Sequence, residues 1–349
     1  MKKKVLVTGG AGFIGVNFLR LSVPRHSDYH FVNADALTYA ANPASLETIA
    51  RSENYSFERV DIADENATRA LFRKLEPDLV IHFAAESHVD RSILGPAEFV
   101  RTNVQGTFNL LEGAREVAGH KDILFHHVST DEVYGSLGPT GAFSETTRYD
   151  PSSPYSATKA ASDHLVRAYH RTFGLPVRLS NCSNNYGPYQ FPEKLIPLMI
   201  LNATRGKPLP VYGDGSNVRD WLYVDDHCEA IWTIIERGAN GETYNIGGNS
   251  EAKNIDLVRT LCTIVARHTR KPEQQLLDLI TFVKDRPGHD QRYAMDASKL
   301  QRECGWQPQR SLAEGLELTI DWYLENPEWI EQVTSGAYRK WIDDNYGDR

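Results

Sequence analysis

Two neighbouring acids stand out among the residues whose types and spacing could carry chemistry. Asp131 and Glu132 follow Ile123–Val128, an apolar run that is typical of a buried strand. Because adjacent carboxyl groups repel each other when both are charged, one tends to stay protonated while the other ionises. The pair can therefore provide an acid and a base side by side. A solvated turn is the alternative for two acids in a loop.

A tyrosine and a lysine form a second candidate pair. Tyr155 and Lys159 lie four positions apart. Ser153 and Pro154, just before them, are typical of a helix start, so both side chains are expected on one helix face. A tyrosine with a pKa of about 10 needs about three pKa units of help, near 4 kcal/mol, to act as a base at pH 7. A cation one turn away can supply part of that help, whereas a random pair of this spacing lies on the surface.

The elements that would position these side chains begin with a glycine-rich turn. Gly9, Gly12 and Gly15 follow the short apolar run Lys4–Val7 and precede a helical pattern. Gly10 in place of Gly9 gives the G-x-G-x-x-G form. Glycines let the backbone approach a pyrophosphate closely, and the N-terminus of the next helix binds it through free N–H groups. This order predicts a dinucleotide site; an ordinary glycine-rich turn is the alternative.

The next two predicted strands each end in an acid. Asp35 lies 20 residues after Gly15, where a carboxylate binds the ribose hydroxyl groups of adenosine. No arginine follows it closely, so NAD is favoured over NADP. Asp61 follows the third strand, where its carboxylate could accept from the adenine amino group or cap a helix that begins near Asp64.

A fourth strand, Leu79–Phe83, leads into small residues against which a cofactor can lie, and His82 within it is expected in the core. One long helix is expected over Pro96–Ala118. Strands and helices alternate in this way over about 130 residues, which is typical of a parallel sheet with helices on both faces. The sequence therefore predicts an α/β fold with a doubly wound parallel sheet.

The pattern changes after a sixth strand at Val177–Leu179. The following segment is loop-like and rich in amides, and short helices and strands then alternate irregularly. We expect residues 1–183 to bind the cofactor and residues 184–349 to form a smaller, mixed substrate-binding portion. A segment near 220–248, beginning at Asp220–Asp226, is expected to return to the main sheet. A diphosphate needs cations, and the guanidinium groups of Arg219 and Arg286 suit one.

Composition narrows the class of protein. The chain has 349 residues, 41% of them apolar, a net charge of −8 and a pI near 5.9. The acidic balance argues against nucleic acid or an anionic membrane as a partner, and no apolar run approaches the roughly 20 residues of a membrane span. The four cysteines form no Cys-x-x-Cys pair, so we expect buried thiols, no metal site and a cytoplasmic location. The tail is apolar enough to pack, with Trp322, Tyr323, Trp329 and Trp341.

Taken together, the motifs resemble the extended short-chain dehydrogenase/reductase family, over residues 3 to about 325. Within that family the likeness is greatest to enzymes that act on dTDP-glucose, and the triplet Thr130-Asp131-Glu132 is its most specific part. Sugar-nucleotide epimerases of the family generally lack the acid pair. In the family a lysine often follows the acid that corresponds to Asp35. Ala36 stands there in this chain, which bears on one contact at the edge of the ribose. The motifs are Thr8–Gly15, Ala84–Ser92, Ser129–Gly135, Tyr155-x-x-x-Lys159, Asn184–Leu195 and Asp285–Asp290.

The resemblance implies a Rossmann-type domain, NAD and a reaction. Tyr155, aided by Lys159 and the positive nicotinamide, would take the proton of the glucose 4-hydroxyl while a hydride moves from carbon 4 to NAD. Glu132 would remove the proton of carbon 5, and Asp131 would protonate the departing 6-hydroxyl. Thr130 would hold the oxygen on carbon 4. The hydride would then return to carbon 6, leaving a 4-keto-6-deoxy sugar.

The resemblance also implies binding residues and a homodimer, paired through the helix Pro96–Ala118 and the helix from Tyr155. The cofactor-binding set is Gly9, Gly12, Phe13, Ile14, Gly15, Asp35, Asp61, Ile62, Ala84, Ala85, Ser87, Thr102, Tyr155, Lys159 and Asn185. The substrate-binding set is Ser87, Thr130, Asn184, Lys194, Leu195, Pro210, Tyr212, Arg219, Asn254, Arg286 and His289.

Two alternatives remain open. One is a UDP-sugar 4-epimerase or another nucleotide-sugar 4,6-dehydratase, because the sequence does not distinguish thymine from uracil. The other is a nucleotide sensor without catalytic activity, against which the four intact residues Asp131, Glu132, Tyr155 and Lys159 count.

Overall fold

Strands and helices alternate through the first half of the chain. The computed structural model describes residues 2–334. Most of these strands are followed by a helical segment, as in sheets whose faces are covered by helices. In chain order the elements are β1 (Lys3–Thr8), α1 (Phe13–Arg25), β2 (Tyr29–Asp35), β3 (Tyr55–Arg59), α2 (Glu65–Leu75), β4 (Leu79–His82), α3 (Val89–Leu94), α4 (Pro96–Phe99), α5 (Thr107–Ala118), β5 (Leu124–Thr130), α6 (Pro154–Phe173) and β6 (Val177–Cys182).

The second half is less regular, with short strands between longer helices. Its elements are β7 (Asn184–Tyr186), α7 (Leu195–Arg205), β8 (Leu209–Tyr212), β9 (Val218–Tyr223), α8 (Val224–Arg237), β10 (Thr243–Ile246), β11 (Glu251–Lys253), α9 (Asn254–Thr269), α10 (Glu273–Leu277), β12 (Ile280–Val283), α11 (Ser298–Cys304), α12 (Leu312–Glu325) and α13 (Pro327–Val333).

Seven parallel strands form the main sheet, in the order β10-β6-β5-β4-β1-β2-β3. The order reverses beside β1, which pairs with β2 on one side and β4 on the other. In such sheets ligands bind outside the carboxyl ends of the strands at the reversal. The glycine turn follows β1 and the acid pair follows β5, so both lie at that edge. The predicted doubly wound parallel sheet is confirmed.

The segment near 220–248 divides between two sheets. β9 lies in a three-stranded sheet, β11-β9-β7, rather than in the main sheet. α8 packs on the main core, where Trp232 stacks on Phe18 of α1 with ring centroids 5.4 Å apart, and β10 then extends the main sheet. The expectation that Asp220–Asp226 returns to the main sheet was wrong, because that strand pairs with β7 and β11; the return is made by α8 and β10. The functional division at 183/184 remains a prediction.

The segment predicted as one long helix over Pro96–Ala118 is not a single α-helix. A π-helical stretch, Val100–Gly106, separates α4 from α5. Within it the Asn103 side chain donates to the Glu86 carbonyl and to the Thr158 hydroxyl, both at 3.0 Å, and accepts from the Glu86 N–H at 2.8 Å. π-Helical turns often occur at functional sites, and this one ties α6 to the segment after β4.

Buried side chains form cores on both sides of the main sheet and a further core in the second half around α7, α9 and α12. His82 is buried, with ring nitrogens 2.8 and 3.0 Å from the hydroxyls of Thr8 and Thr107, so its predicted place in the core is confirmed. Trp329 donates to Ser45 at 2.8 Å, which attaches the packed tail to the first half; Trp341 lies outside the described residues. Between residues 2 and 334, no helix is long and apolar enough to cross a membrane.

Candidate active site

A long cavity runs along the carboxyl ends of the main-sheet strands. Every residue that the sequence assigned to the cofactor or to catalysis lines it. Thr38, Glu86, Ser129, Gln190 and Glu193 line it as well and were not assigned from the sequence. The structure therefore brings the predicted set together, while the contacts each residue makes with a ligand remain predictions.

Glycine shapes the floor of this cavity. Gly9 has φ +72°, and a Cβ there would lie 2.6 Å from the Ala84 backbone. A Cβ on Gly15 would lie 2.3 Å from the Gly9 carbonyl oxygen. α1 begins just after Gly12, and its first turn contains no acid. A side chain would fill this cradle, so it fits a pyrophosphate bound by backbone N–H groups at a helix N-terminus.

Asp35 and Asp61 line the cavity near the carboxyl ends of β2 and β3. Asp35 is buried and accepts from the backbone N–H groups of Ala11 at 2.9 Å and Leu37 at 2.8 Å. This carboxylate thus fixes the glycine turn and leaves lone pairs for ribose hydroxyls. Asp61 pairs with Arg101 at 2.7 Å. The cap of α2 is Asp64, so the alternative role of Asp61 as that cap was wrong.

The acid pair lies on a tight turn at the end of β5. Thr130, the last strand residue, accepts from the Glu132 N–H at 3.3 Å and donates to Asp131 Oδ1 at 3.2 Å. A 3-10 turn over Asp131–Tyr134 follows, and Gly135 ends it with φ +83°, where a Cβ would lie 2.4 Å from the Asp150 carbonyl oxygen. This geometry fixes the acids at the sheet edge, which excludes the alternative of a solvated turn.

The two acids have different surroundings. Asp131 is 1% exposed, and its Oδ2 has no hydrogen-bond partner among residues 2–334. Burial, with the adjacent charge of Glu132, raises the pKa of Asp131 well above its ordinary value. Burial also raises the pKa of Glu132, but the cations of Arg286 and Lys194 oppose that rise. The arrangement favours a neutral Asp131 beside an ionised Glu132.

Tyr155 and Lys159 lie on the first turns of α6, as predicted. Ser153 caps the helix through a capping box with Ser156, and Pro154 takes its first position. Tyr155 is buried, and burial raises the pKa of its phenol well above the ordinary value, while a hydrogen bond with Thr130 opposes the rise. Lys159 Nζ donates to the Val128 carbonyl at 2.8 Å. The lysine is thus anchored to β5, and the tyrosine needs a further positive charge nearby to ionise.

A buried carboxylate beneath this pair was missed by the sequence reasoning. Asp163, one turn after Lys159, accepts from Ser129 at 2.9 Å and Tyr149 at 2.8 Å, and lies 3.2 Å from His127 Nε2. Burial lowers the pKa of Lys159, and the charge of Asp163 opposes that change. The spacing of Tyr155, Lys159 and Asp163 at four-residue intervals was the available signal.

A second cavity adjoins the first at Glu132 and extends into the second half of the chain. Most of the predicted substrate-binding residues line it, whereas Ser87 and Thr130 line the first cavity. Several buried polar atoms here lack a partner within the described part of the chain, which is what a bound polar ligand would satisfy; they are Asn184 Oδ1, Asn254 Oδ1 and Arg286 Nε. The predicted residues on its wall are Asn184, Lys194, Leu195, Pro210, Tyr212, Arg219, Asn254, Arg286 and His289.

The cations of this second cavity are held by acids and carbonyl groups. Asp90 is 5% exposed; it accepts from Tyr212 at 2.9 Å and lies 3.4 Å from Arg286. Arg219 donates to the Asp290 carbonyl at 2.9 Å and stacks over Tyr293, with its guanidinium 4.2 Å from the ring centroid. Asp90 falls inside the motif Ala84–Ser92, yet nothing in the sequence connects it with residues more than a hundred positions away.

The glycine cradle, the tyrosine–lysine pair on α6 and the acids at the end of β5 together define an extended short-chain dehydrogenase/reductase. Comparison with known proteins supports the same class of enzyme. The model of a family described as GDP-mannose 4,6 dehydratase matches residues 6–319. A dTDP-glucose 4,6-dehydratase of Shigella flexneri is 54% identical over an alignment of 361 positions that covers 99% of each chain.

Two crystal structures extend the comparison. A dTDP-glucose 4,6-dehydratase from Streptomyces venezuelae with NAD bound matches with TM-score 0.87 and 45% identity, covering 95% of this chain and 99% of the other. A dTDP-glucose 4,6-dehydratase from Bacillus anthracis in complex with NAD gives TM-score 0.85 and 44% identity, with the same coverage. This chain belongs to the GDP-mannose 4,6 dehydratase family of sugar-nucleotide enzymes.

Proposed function

We propose that the chain is an enzyme that converts dTDP-glucose into dTDP-4-keto-6-deoxyglucose and water, with NAD as its cofactor. The observation that carries this proposal is the acid pair, one carboxyl shielded and one facing cations, at the junction of the two cavities. Elimination of water needs a base that removes a proton from one carbon and an acid that protonates the hydroxyl leaving the neighbouring carbon. Relatives named for this reaction, more than half identical to this chain, support the choice of substrate.

The cofactor would lie on the glycine cradle, with its adenosine end at Asp35 and its nicotinamide toward Tyr155. When bound, NAD would supply reversible hydride transfer, first from carbon 4 of the sugar and then to carbon 6. Tyr155 takes the proton of the 4-hydroxyl, and Thr130, which is hydrogen-bonded to it, orients the same oxygen. Burial and the charge of Glu132 raise the pKa of Tyr155. The proton transfer would therefore need the positive charges of Lys159 and of the oxidised nicotinamide to stabilise the phenolate.

The elimination then falls to the acid pair. A ketone at carbon 4 acidifies the proton of carbon 5. Glu132 removes that proton as the ionised partner and gives a proton back to carbon 5 when the hydride is added to carbon 6. Asp131 remains protonated because it is buried, so it has a proton to give to the departing 6-hydroxyl. General acid and general base steps of this kind are each worth about 10²–10⁴ in rate. Asp131 is 1% exposed, which limits the contact of its carboxyl group with bulk water.

The second cavity would hold the nucleoside diphosphate. Arg219 and Arg286 are mostly buried guanidinium groups, and Lys194 adjoins them. Fixed cations of this kind bind diphosphate oxygens with charge-assisted hydrogen bonds. The sugar would then extend toward Glu132, which lines both cavities.

A direct assay tests the proposal and its alternatives. Purified enzyme with NAD is incubated with dTDP-glucose and, separately, with UDP-glucose, and the 4-keto product is detected by its absorbance in alkali. We expect keto sugar from dTDP-glucose. Product from UDP-glucose alone would instead assign another nucleotide-sugar 4,6-dehydratase. Conversion of UDP-glucose to its 4-epimer without keto sugar would assign an epimerase, and no turnover of either would favour a sensor.

We also propose that two copies of the chain form a homodimer. Large apolar side chains are exposed along α3, the π-helical stretch and α5: Leu94 is 77% exposed, Val100 53% and Phe108 36%. Grouped exposed apolar residues mark protein interfaces, and this stretch packs beside α6, the other helix expected in the dimer. Sedimentation equilibrium should give the mass of two chains, and the double variant Leu94→Glu/Val100→Glu should give the mass of one.

A cytoplasmic location is a further proposal, supported by the cysteines. All four are buried and unpaired, which suits a reducing compartment. Fractionation of the source cells, with the protein detected by antibody, checks it.

A further inference from the structure

A three-residue cluster connects the two halves of the chain above the cofactor cavity. Tyr39 OH donates to Glu193 Oε1 at 3.1 Å, and Arg91 Nε donates to Glu193 Oε2 at 3.1 Å. The Arg91 guanidinium also stacks on the Tyr39 ring, 3.8 Å from its centroid. We call these three residues the clasp. The Glu193 side chain is 3% exposed. Burial raises the pKa of Glu193, and the cations of Lys194 and Arg91 and the hydrogen bonds from Arg91 and Tyr39 oppose that rise.

The position of the clasp suggests what it holds. Tyr39 belongs to the loop 36–42 that follows β2, and its neighbours Thr38 and Ala40 line the cofactor cavity. Glu193 lines both cavities. The next residue, Lys194, donates to the Ser87 carbonyl at 3.0 Å on the wall of the cofactor cavity. Glu193 thus joins a loop over the cofactor to the segment that carries a candidate substrate cation.

The chemistry of the reaction gives such a contact a purpose. The electrons removed from carbon 4 must return to carbon 6 of the same sugar, so a reduced cofactor that leaves between the two steps strands the intermediate. We propose that Glu193 is a positioning residue whose bonds to Tyr39 and Arg91 keep the loop 36–42 closed over NAD and so retain the cofactor throughout the cycle. The purpose given to these contacts rests on the proposed function, whereas the NAD dissociation rate that tests them does not.

The test measures how fast NAD leaves the holoenzyme in the absence of any sugar nucleotide. Enzyme with bound NAD is diluted into a solution that destroys free NAD, and the bound fraction is followed over time. Tyr39→Phe removes one hydroxyl and leaves the ring on which Arg91 stacks, so we expect dissociation about tenfold faster. At saturating NAD, turnover of dTDP-glucose should stay within twofold of wild type. Without added NAD, it should decay as cofactor is lost.

Tyr244→Phe is the matched control. Tyr244 also donates to a glutamate, Glu303 at 3.2 Å, but on β10 at the far edge of the main sheet. We expect its NAD dissociation rate to equal that of wild type. If Tyr244→Phe released NAD as much faster as Tyr39→Phe does, the effect would come from a general loss of stability, and the proposal would be wrong. An unchanged NAD dissociation rate in Tyr39→Phe would also contradict it.

Glu193→Ala provides a second, independent arm. The double variant Tyr39→Phe/Glu193→Ala should dissociate NAD no faster than Glu193→Ala alone, because Glu193→Ala already removes the acceptor of the Tyr39 hydroxyl. Fully additive effects would overturn the proposal by showing that the two residues act separately. If the wild type did not dehydrate dTDP-glucose, the proposed function would be wrong. The NAD dissociation rates would still decide whether Glu193 holds the loop 36–42 over the cofactor, because they are measured without sugar nucleotide.

Discussion

The two cavities that meet at Glu132 are built in different ways. The floor of the cofactor cavity is shaped by backbone, in particular by the glycines after β1, which leave no room for a Cβ. The substrate cavity is shaped by charged side chains from distant segments, such as Asp90 and Arg286, which hold one another. The cofactor site therefore depends on positions that have no side chain. The substrate site depends on each cation keeping its acidic partner.

The largest effect should come from Glu132, an acid that lines both cavities. Glu132→Gln removes the base while keeping size and hydrogen bonding, so dehydration and solvent exchange at carbon 5 should fall about 10³-fold. Deuterium incorporation from heavy water, followed by mass spectrometry, measures the exchange. Asp131→Asn is the companion variant: it should slow loss of water about 10²-fold and still allow exchange. Unchanged exchange in Glu132→Gln would remove that residue from its role.

The backbone-built site can be broken by one methyl group. In Gly15→Ala the added Cβ meets the Gly9 carbonyl oxygen at 2.3 Å, a backbone atom that cannot move aside without opening the cradle. We expect NAD affinity to fall about 100-fold, or about 2.7 kcal/mol, by titration calorimetry, with circular dichroism confirming the fold. Gly138→Ala is the control, since nothing lies within 4 Å of its Cβ. Equal NAD affinity in both variants would contradict this account of the cavity.

The charge-built site should respond to the loss of an acid that holds one of its cations. Asp90→Asn keeps the shape but weakens the hold on Arg286 and Tyr212. KM for dTDP-glucose should rise about tenfold, or about 1.4 kcal/mol, while kcat stays within threefold and NAD affinity is unchanged. Asp256→Asn, which removes an exposed acid 3.6 Å from Arg259, should change neither. A fall in NAD affinity in Asp90→Asn would show that the two sites are not built separately.

The smallest effect concerns stability and follows from the raised pKa of Asp131. The folded state keeps a proton that the unfolded state releases above the ordinary value of 3.8, so this acid costs stability as pH rises from that value toward the folded pKa. The slope is at most about 1.4 kcal/mol per pH unit. An asparagine side chain at this position has no proton to release in this range. Asp131→Asn should therefore unfold at a higher temperature than wild type at pH 8, with a smaller difference at pH 5, by scanning calorimetry; a difference independent of pH would argue that Asp131 is ionised in the fold.

Much of the cofactor cavity could be predicted from the sequence because each of its motifs follows a strand. Gly15 contacts the Gly9 carbonyl within the same turn, and the cap before α6 acts within its own helix turn. Asp35, at the end of β2, binds backbone N–H groups of the neighbouring strand ends. In a parallel sheet the carboxyl ends of strands meet at one edge, so local motifs converge without further information. The π-helical stretch was not predicted because Asn103 gains its partners, Glu86 and Thr158, from other elements.

The amino-acid sequence by itself determined the sheet, the glycine cradle, the acid pair and the tyrosine–lysine pair, because periodicity, turn chemistry and spacing act over a few residues. Tertiary structure decided which acid is shielded and which faces cations, and it formed the contacts of Asp163, Asp90 and Glu193. Glu193 and Arg91 are 102 residues apart, and Asp90 and Arg286 are 196 apart. A pKa or an ion pair depends on distance in space, and a linear pattern does not record which distant segments the fold brings within 4 Å.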